Sequence, residues 1–456
     1  MRELKYFGVT LALALTLIFS CFSAKSQDQP PPELPPHRAP TIHVEAADLP
    51  ALDTTPKFDP EKAVAGYLAR VGGAARARSD AYFENGYWLQ LLDLLYALAI
   101  AGVLLGFGIS TRMRDWAQDR THSRNGQVLL YAIGYTIITA VMALPLSVYE
   151  GFFREHAYGL SNQSFADWLG DWSISFALTL VASVILLPAL YAAIRAARLT
   201  WWVWGSGIAI AFIIFQMVIT PIFIAPLFNH YSPLQEGALK RQILSLARAN
   251  QIPATDIYVV DASRQSNRIS ANVSGFLGTT RISLNDNLLK QASPDEVLAV
   301  LGHEMGHYVM GHATRGVLLT GLVITIGFGF VAWAFRLTTD LFGGTWHVRR
   351  PEDVAGLPIL VALASIFLFV MTPVTNTITR TAENQADIFG LDAVRKPDAF
   401  ASVIVKLSSY RKLDPGKWEE MIFYDHPSGR TRIETAMRWK KEHIADQDIR
   451  ETTSPQ

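Results

Sequence analysis

The chain has 456 residues, half of them hydrophobic and only 18% charged, and its formal net charge is zero. A nucleic-acid binder would carry a basic excess, so that class is excluded; the balance suits a membrane protein with polar segments. The single cysteine, Cys21, rules out an intramolecular disulfide, and neither a cysteine nucleophile nor a thiolate metal site is credible in the body of the chain.

Residues 1–26 read as a signal peptide or N-terminal anchor: Arg2 and Lys5, then an apolar run from Phe7 to Phe22, with small residues at Ser20, Ser23, Ala24 and Ser26 for cleavage. Phe19 makes a poor lipobox before Cys21. A polar region, 27–86, follows; its prolines, Pro30, Pro31, Pro32, Pro35, Pro36 and Pro40, predict an extended linker that buries no core. Four predicted membrane helices fill 87–224, at about 87–109, 128–150, 172–194 and 201–224. Trp88, Trp172, Trp201 and Trp202 sit near their ends, as interface anchors do. Asp93 and Glu150 either snorkel to an interface or line an interior chamber.

The polar stretch 225–315 holds three predicted strands, Ile257 to Val260, Ile269 to Gly275 and Arg281 to Leu284, the last two joined by a turn at Gly278-Thr279-Thr280. It ends in the most informative segment of the chain, His303-Glu304-Met305-Gly306-His307. Leu298, Val300, Leu301, Met305 and Val309 give this run helical periodicity, and Ser293-Pro294-Asp295-Glu296 supplies a helix start. Histidines four apart share a helix face and reach one metal ion, and the intervening glutamate is placed to take a proton from a water there. The competing reading is a buried helix whose histidines are only hydrogen-bonded. His312, five residues past His307, falls off the ligand face of a continuous helix and reads as structural.

Two more predicted spans, about 316–335 and 357–377, fill 316–377, and 378–456 is a polar C-terminal region. A catalytic zinc takes three protein ligands and leaves one position for water. Glu383 is the candidate third ligand. Asp387, four residues on and on the same helix face, would hydrogen-bond the outer nitrogen of a ligand histidine. The expected architecture is mainly α: a polytopic bundle or barrel of six to seven spans with a small α+β, zincin-like protease domain.

The pentad, with five further segments, resembles the type I CAAX prenyl endopeptidases, integral-membrane zinc metalloproteases of the gluzincin type, from about residue 85 to about 440. Glu155 to Ser164 is similar to the family's E-x-x-x-G-x-x-x-x-[ST] loop, and Pro226-Leu227-Phe228-Asn229 through Leu234 to its P-L-F-N-x-[YF]-x-P-L segment. Ser270-Ala271-Asn272 with Gly275-Phe276, Arg281 to Asp286, and His426-Pro427 with Arg432 resemble three more elements. Val273 and Ser274 depart from it, standing where the family has Ala and an aromatic residue.

The resemblance implies one Zn2+ per chain on His303, His307 and Glu383, with Glu304 as general base. It implies Asn272 on the substrate backbone, His426 as an oxyanion donor, and Arg432 orienting or neutralising an acid near it. The implied partners are a polypeptide, with a lipidated C-terminal tail as one form, and membrane lipids. Non-prenylated polypeptides in membrane quality control are the alternative substrate. A transporter, or a non-catalytic zinc scaffold, is the reading from another class. A transporter should show two related halves with broken helices; none is evident, and the intact Glu304 argues against the scaffold. The signal-like start points to a bacterial inner membrane, with an endomembrane as the eukaryotic equivalent. Arg112, Arg114, Arg120 and Arg124 in one short loop, with Arg195 and Arg198 in another, place those loops in the cytoplasm and the protease region on the periplasmic or exoplasmic side. The resembling eukaryotic proteins place it on the cytosolic side.

Overall fold

The computed structural model describes residues 58–274 and 280–444. The signal-like segment, most of the proline-rich stretch, Cys21, Gly275-Phe276 and the Gly278-Thr279 part of the turn lie outside the described residues.

A short helix, α1 (Pro60–Ala69), opens the described chain, capped by Asp59. Then come α2 (Gly73–Gly106), α3 (Ile109–Arg120) and α4 (Arg124–Val148), the last running on through a π turn, Tyr149–Arg154, and a final turn, Glu155–Ala157. Helices α5 (Phe165–Ala196) and α6 (Trp201–Ile219) follow. The polar domain contains β1 (Tyr231–Pro233), α7 (Ala238–Ala249), β2 (Ile257–Val260), β3 (Ala271–Ser274), β4 (Arg281–Asn285), α8 (Asp286–Gln291) and α9 (Pro294–Val309). Long helices α10 (His312–Trp346) and α11 (Leu357–Val394) lead to α12 (Pro397–Leu407), α13 (Lys417–Phe423) and α14 (Gly429–His443).

Among the described residues six helical segments are long and apolar enough to cross a membrane: Gly73–Gly106, Arg124–Ala157, Phe165–Ala196, Trp201–Leu227, His312–Trp346 and Val354–Val394. They are the six expected from hydropathy, each longer than its apolar window because the helix continues past the membrane boundary. Their largest apolar cluster, including Leu104, Tyr131, Tyr191, Ile194, Phe335 and Leu357, gathers at the end of the bundle near the arginine-rich loops. There Arg114 pairs with Asp353 at 2.7 Å, joining α3 to the turn before α11.

The sheet has the order β1-β2-β4-β3, with β2 and β4 parallel and the other pairs antiparallel. Its apolar face, with Ile257, Val273, Ile282 and Leu284, packs on Leu301 and Met305 of α9. Those two residues flank His303, so burial of the sheet fixes the rotation of the histidine helix.

Two buried polar clusters tie this domain to the spans. Arg268 donates to Glu155 at 2.7 Å and to the Tyr82 hydroxyl at 2.9 Å, and Tyr82 donates to Glu155 at 2.9 Å. Asp171 of α5 accepts from Gln163 at 2.6 Å and from Gln265 at 2.9 Å. On the far side of the domain α1 docks on α12 and α14 through Val64, Leu68, Phe400, Ala436 and Met437. Tyr67 and Lys440 both donate to Asp398 there, at 2.9 and 2.6 Å. Four spans separate α1 from the sheet and two more precede α12, so α1, the sheet domain and the C-terminal helices share one side of the membrane.

Candidate metal centre

Helix α9 starts where the sequence marks it. Ser293 accepts from the Glu296 amide, Glu296 accepts from the Ser293 amide, and Pro294 holds the first turn. Lys406 clamps Glu296 from α12 at 2.6 Å. Burial opposes the Glu296 charge, but these bonds outweigh it and hold its pKa below the usual carboxylate value.

Helix α11 crosses α9 at very short range, because glycines face each other at the crossing. A Cβ on Gly390 would lie 2.8 Å from the His303 amide nitrogen, and one on Gly306 would lie 3.1 Å from Ala386 Cα. This approach brings the two histidines and Glu383 together. His303 Nε2 lies 3.1 Å from His307 Nε2 and 3.1 Å from Glu383 Oε2, and His307 Nε2 lies 3.4 Å from Glu383 Oε1.

Those three donors fit a divalent cation. Bonds of about 2.0–2.1 Å in tetrahedral geometry put neighbouring ligand atoms about 3.3–3.4 Å apart. Glu383 Oε2 is buried and has no partner with hydrogen-bond geometry, despite the imidazole nitrogen 3.1 Å away. This orphaned oxygen beside two imidazole nitrogens makes a donor set that suits a shared cation. His303, His307 and Glu383 form the one such cluster of His, Cys, Asp or Glu donors found among the described residues. Three ligands leave a fourth position for water or substrate, the pattern of catalytic rather than structural sites.

The outer nitrogen of His303 donates to Asp387 Oδ1 at 2.7 Å, which fixes the tautomer that leaves Nε2 free to ligate. Arg432 grips Asp387 with both arms of its guanidinium, Nε to Oδ2 at 2.8 Å and Nη2 to Oδ1 at 2.5 Å. Burial works against charge on His303, yet Asp387 and Glu383 outweigh it and raise its pKa to about 10. A potential that negative favours a bound metal cation for the same reason. Burial raises the pKa of Glu304 above its ordinary value, offset by the neighbouring imidazoles of His303 and His307.

His426 reaches the same carboxylate from the other direction, its Nε2 3.3 Å from Glu383 Oε1 and its Nδ1 2.9 Å from Asp425. The loop carrying it is pinned by Arg380, which donates to the carbonyls of Glu420 and Tyr424, and by Glu420, which accepts from the Ser428 amide at 2.8 Å. Asn272 lies on β3, an edge strand packed beside α9 and paired with Ser283. Its buried Oδ1 has no hydrogen-bond partner.

One contact at the centre escaped the sequence. His312 does not continue the α9 face. Helix α9 ends at Val309, and Gly311 turns the chain through a left-handed conformation (φ +64°). His312 then opens α10 and folds back, Nδ1 to Nδ1, onto His307 at 3.0 Å. The signal for this was the Met310-Gly311 helix stop.

Residues 69–230 match the family model for the CAAX prenyl protease N-terminal region of five membrane helices, and residues 233–440 match that of peptidase family M48. The chain is 31% identical over 336 residues to the uncharacterized metalloprotease YhfN of Bacillus subtilis, covering 73% of this chain and 79% of that protein. It is 30% identical over 328 residues to CAAX prenyl protease 1 of Saccharomyces cerevisiae, covering 67% and 70%. The crystal structure of S. mikatae Ste24p shares the fold, with a TM-score of 0.68 at 23% identity over 85% of this chain and 91% of that one. With six helices among the described residues long and apolar enough to cross a membrane and a converging His/His/Glu donor set, the chain belongs to peptidase family M48 and is an integral-membrane, metal-dependent endopeptidase acting on polypeptides.

Proposed function

We propose that His303, His307 and Glu383 hold one zinc ion and that Glu304 is the general base for peptide-bond hydrolysis. The supporting observation is the convergence of the three donors within 3.1–3.4 Å, with Glu304 on the same helix turn. Two nitrogens and a carboxylate suit zinc, which when bound supplies Lewis acidity to the scissile carbonyl and to the attacking water. Glu304, its pKa raised by burial, takes the proton of that water and passes it to the leaving amine. His426 donates to the oxyanion as it forms. Asp387 and Arg432 act through His303, holding its ring in the ligating orientation. Substrate lies extended along the open edge of β3, where its backbone pairs as an added strand and Asn272 holds it near the cut.

The substrate class follows from position. Relatives named CAAX prenyl proteases bring a lipidated C-terminal tail to this chain as the first candidate. A second reading, cleavage of non-prenylated polypeptides, is favoured by the charges. Arg112, Arg114, Arg120, Arg124, Arg195, Arg198, Arg349 and Arg350 all lie at the bundle end opposite the sheet domain. The positive-inside rule makes that end cytoplasmic and the catalytic side exoplasmic, which in a bacterial inner membrane is the periplasm.

The deciding experiment is metal analysis of purified protein with a chelator-sensitive peptidase assay on farnesylated and unmodified versions of one peptide. One zinc per chain with activity lost on chelation is expected; activity that survives complete metal removal sinks the proposal. Cleavage of both peptides at equal rates selects the second reading.

A further inference from the structure

We propose that His312, Gln385 and Arg315 form a directed hydrogen-bond relay that sets the tautomer of His307 and so its affinity for metal. The proposal rests on His307 being a ligand.

The relay can be followed atom by atom from its outer end. Arg315 Nη1 donates to Gln385 Oε1 at 3.0 Å. A guanidinium has donors only, so the oxygen of the Gln385 amide, not its nitrogen, must face inward. The same oxygen lies 3.2 Å from His312 Nε2, which must therefore carry the proton and donate. In neutral His312 this leaves Nδ1 as an acceptor. It faces His307 Nδ1 at 3.0 Å, so the proton between them belongs to His307. His307 is thus left with its lone pair on Nε2, the atom that sits 3.1 Å from His303 Nε2 and 3.4 Å from Glu383. One cation at the surface fixes the state of three groups in series.

The parts come from three elements. His307 lies in the last turn of α9, His312 and Arg315 in the first turn of α10, and Gln385 on α11 between Glu383 and Asp387. His312 is 5% exposed, so its ring has no water to replace the bonds it makes. The two ligand histidines then have parallel supports. His303 is held by Asp387 and, beyond it, Arg432; His307 is held by His312, Gln385 and, beyond them, Arg315.

His312 is a positioning residue, and its loss should act on metal before it acts on fold. Removing an outer partner of a metal-bound histidine weakens metal affinity by about 10–100-fold. The test uses the full chain in detergent and zinc competition with a chelator of known affinity. The Co2+-loaded absorption spectrum and thermal unfolding of the metal-stripped protein are recorded beside it. His307→Ala is the reference for the site itself. His312→Ala should keep the binding stoichiometry but lower affinity by about 10–100-fold and alter the Co2+ spectrum. His312→Asn, whose Oδ1 replaces the Nδ1 acceptor, should recover most of that loss. Gln385→Leu should weaken binding less than His312→Ala, because His312 then loses only its own support.

If His307→Ala binds metal as the parent does, the site reading itself fails. If His307→Ala loses metal while His312→Ala binds as tightly as the parent, the relay is refuted and the site stands. If His312→Ala and His312→Asn lose affinity equally, alongside a fall in unfolding temperature, His312 is only packing material and the relay is likewise refuted.

Discussion

Gly390→Ala tests whether the close crossing of α9 and α11 sets the metal centre. The added Cβ would lie 2.8 Å from the His303 amide nitrogen, 3.1 Å from Gly302 C and 3.2 Å from His303 Cα. Comfortable carbon contacts lie at about 3.5–4.0 Å, so the helices must part by roughly 0.5–1 Å. All three obstacles are backbone atoms of a 16-residue helix, so no rotamer change relieves them. Overpacking of this kind costs about 1–3 kcal/mol, and alanine returns about 1 kcal/mol of helix propensity over glycine. The net destabilisation is thus small enough for the fold to survive. The site is less tolerant. A parting of that size breaks the 2.7 Å bond from His303 to Asp387 and opens the 3.1 Å gap from His303 to Glu383. Chelator competition should show metal affinity falling by at least about 10-fold, as for loss of an outer-sphere partner. The helical circular-dichroism signal should remain unchanged. Gly344→Ala, where a Cβ meets nothing within 4 Å, is the control and should bind metal as the parent does. If Gly390→Ala also binds metal as the parent does, the crossing distance is not what assembles the ligands.

Glu304→Gln should retain one equivalent of metal and lose peptide cleavage by about 10²–10⁴-fold, the usual worth of a positioned base; turnover assays on metal-quantified protein check it. His426→Ala should lower kcat by about 10²–10³-fold with little change in KM, as for loss of an oxyanion donor, and steady-state kinetics separate the two constants. Glu296→Gln keeps an oxygen that accepts from the Ser293 amide but removes the ion pair to a partly exposed Lys406, worth about 1 kcal/mol or less. The pKa of Glu296 is depressed by folding, so its contribution is complete above the unfolded value of about 4.3 and is lost as the pH falls through the lower, folded value. Thermal unfolding of parent and variant should therefore differ at pH 7 and converge only as the pH falls below the depressed, folded value.

What the sequence made legible has local causes. The cap at Ser293 and the pentad depend on spacing within one helix, and the six spans depend on apolar runs, so both survive without knowledge of tertiary contacts. The exposure of span surfaces to lipid even strengthens the hydropathy signal, since lipid-facing and core-facing residues are both apolar. The helix ends were less legible. Past the membrane boundary α11 stays helical through Thr375, Asn376 and Thr377, whose polarity hides the continuity. His312, read as structural, does lie outside the ligand cluster, but its contact with His307 stayed hidden because period counting assumes an unbroken helix and one left-handed glycine invalidates the count. The anchors Arg268–Glu155–Tyr82 and Asp171–Gln265 join residues 73 to 186 positions apart, and nothing local marks them as partners.

The length of α11 fixes the depth of the proposed centre. Its 38 residues span about 57 Å at 1.5 Å per residue, almost twice a hydrocarbon core of about 30 Å. Leu357 follows the charged turn Arg349-Arg350-Pro351-Glu352-Asp353, and bilayer entry is taken there. Glu383, 26 residues on, is then about 39 Å along the axis, which leaves it roughly 7–9 Å beyond the opposite boundary after allowing for tilt. A transport site belongs near the midplane, and with entry at Leu357 the proposed centre falls at the headgroup layer. At about 3.3 Å per extended residue, a chain anchored in the bilayer reaches such a site with about three residues. On the proposed reading a membrane-tethered polypeptide, prenylated or not, reaches the site directly.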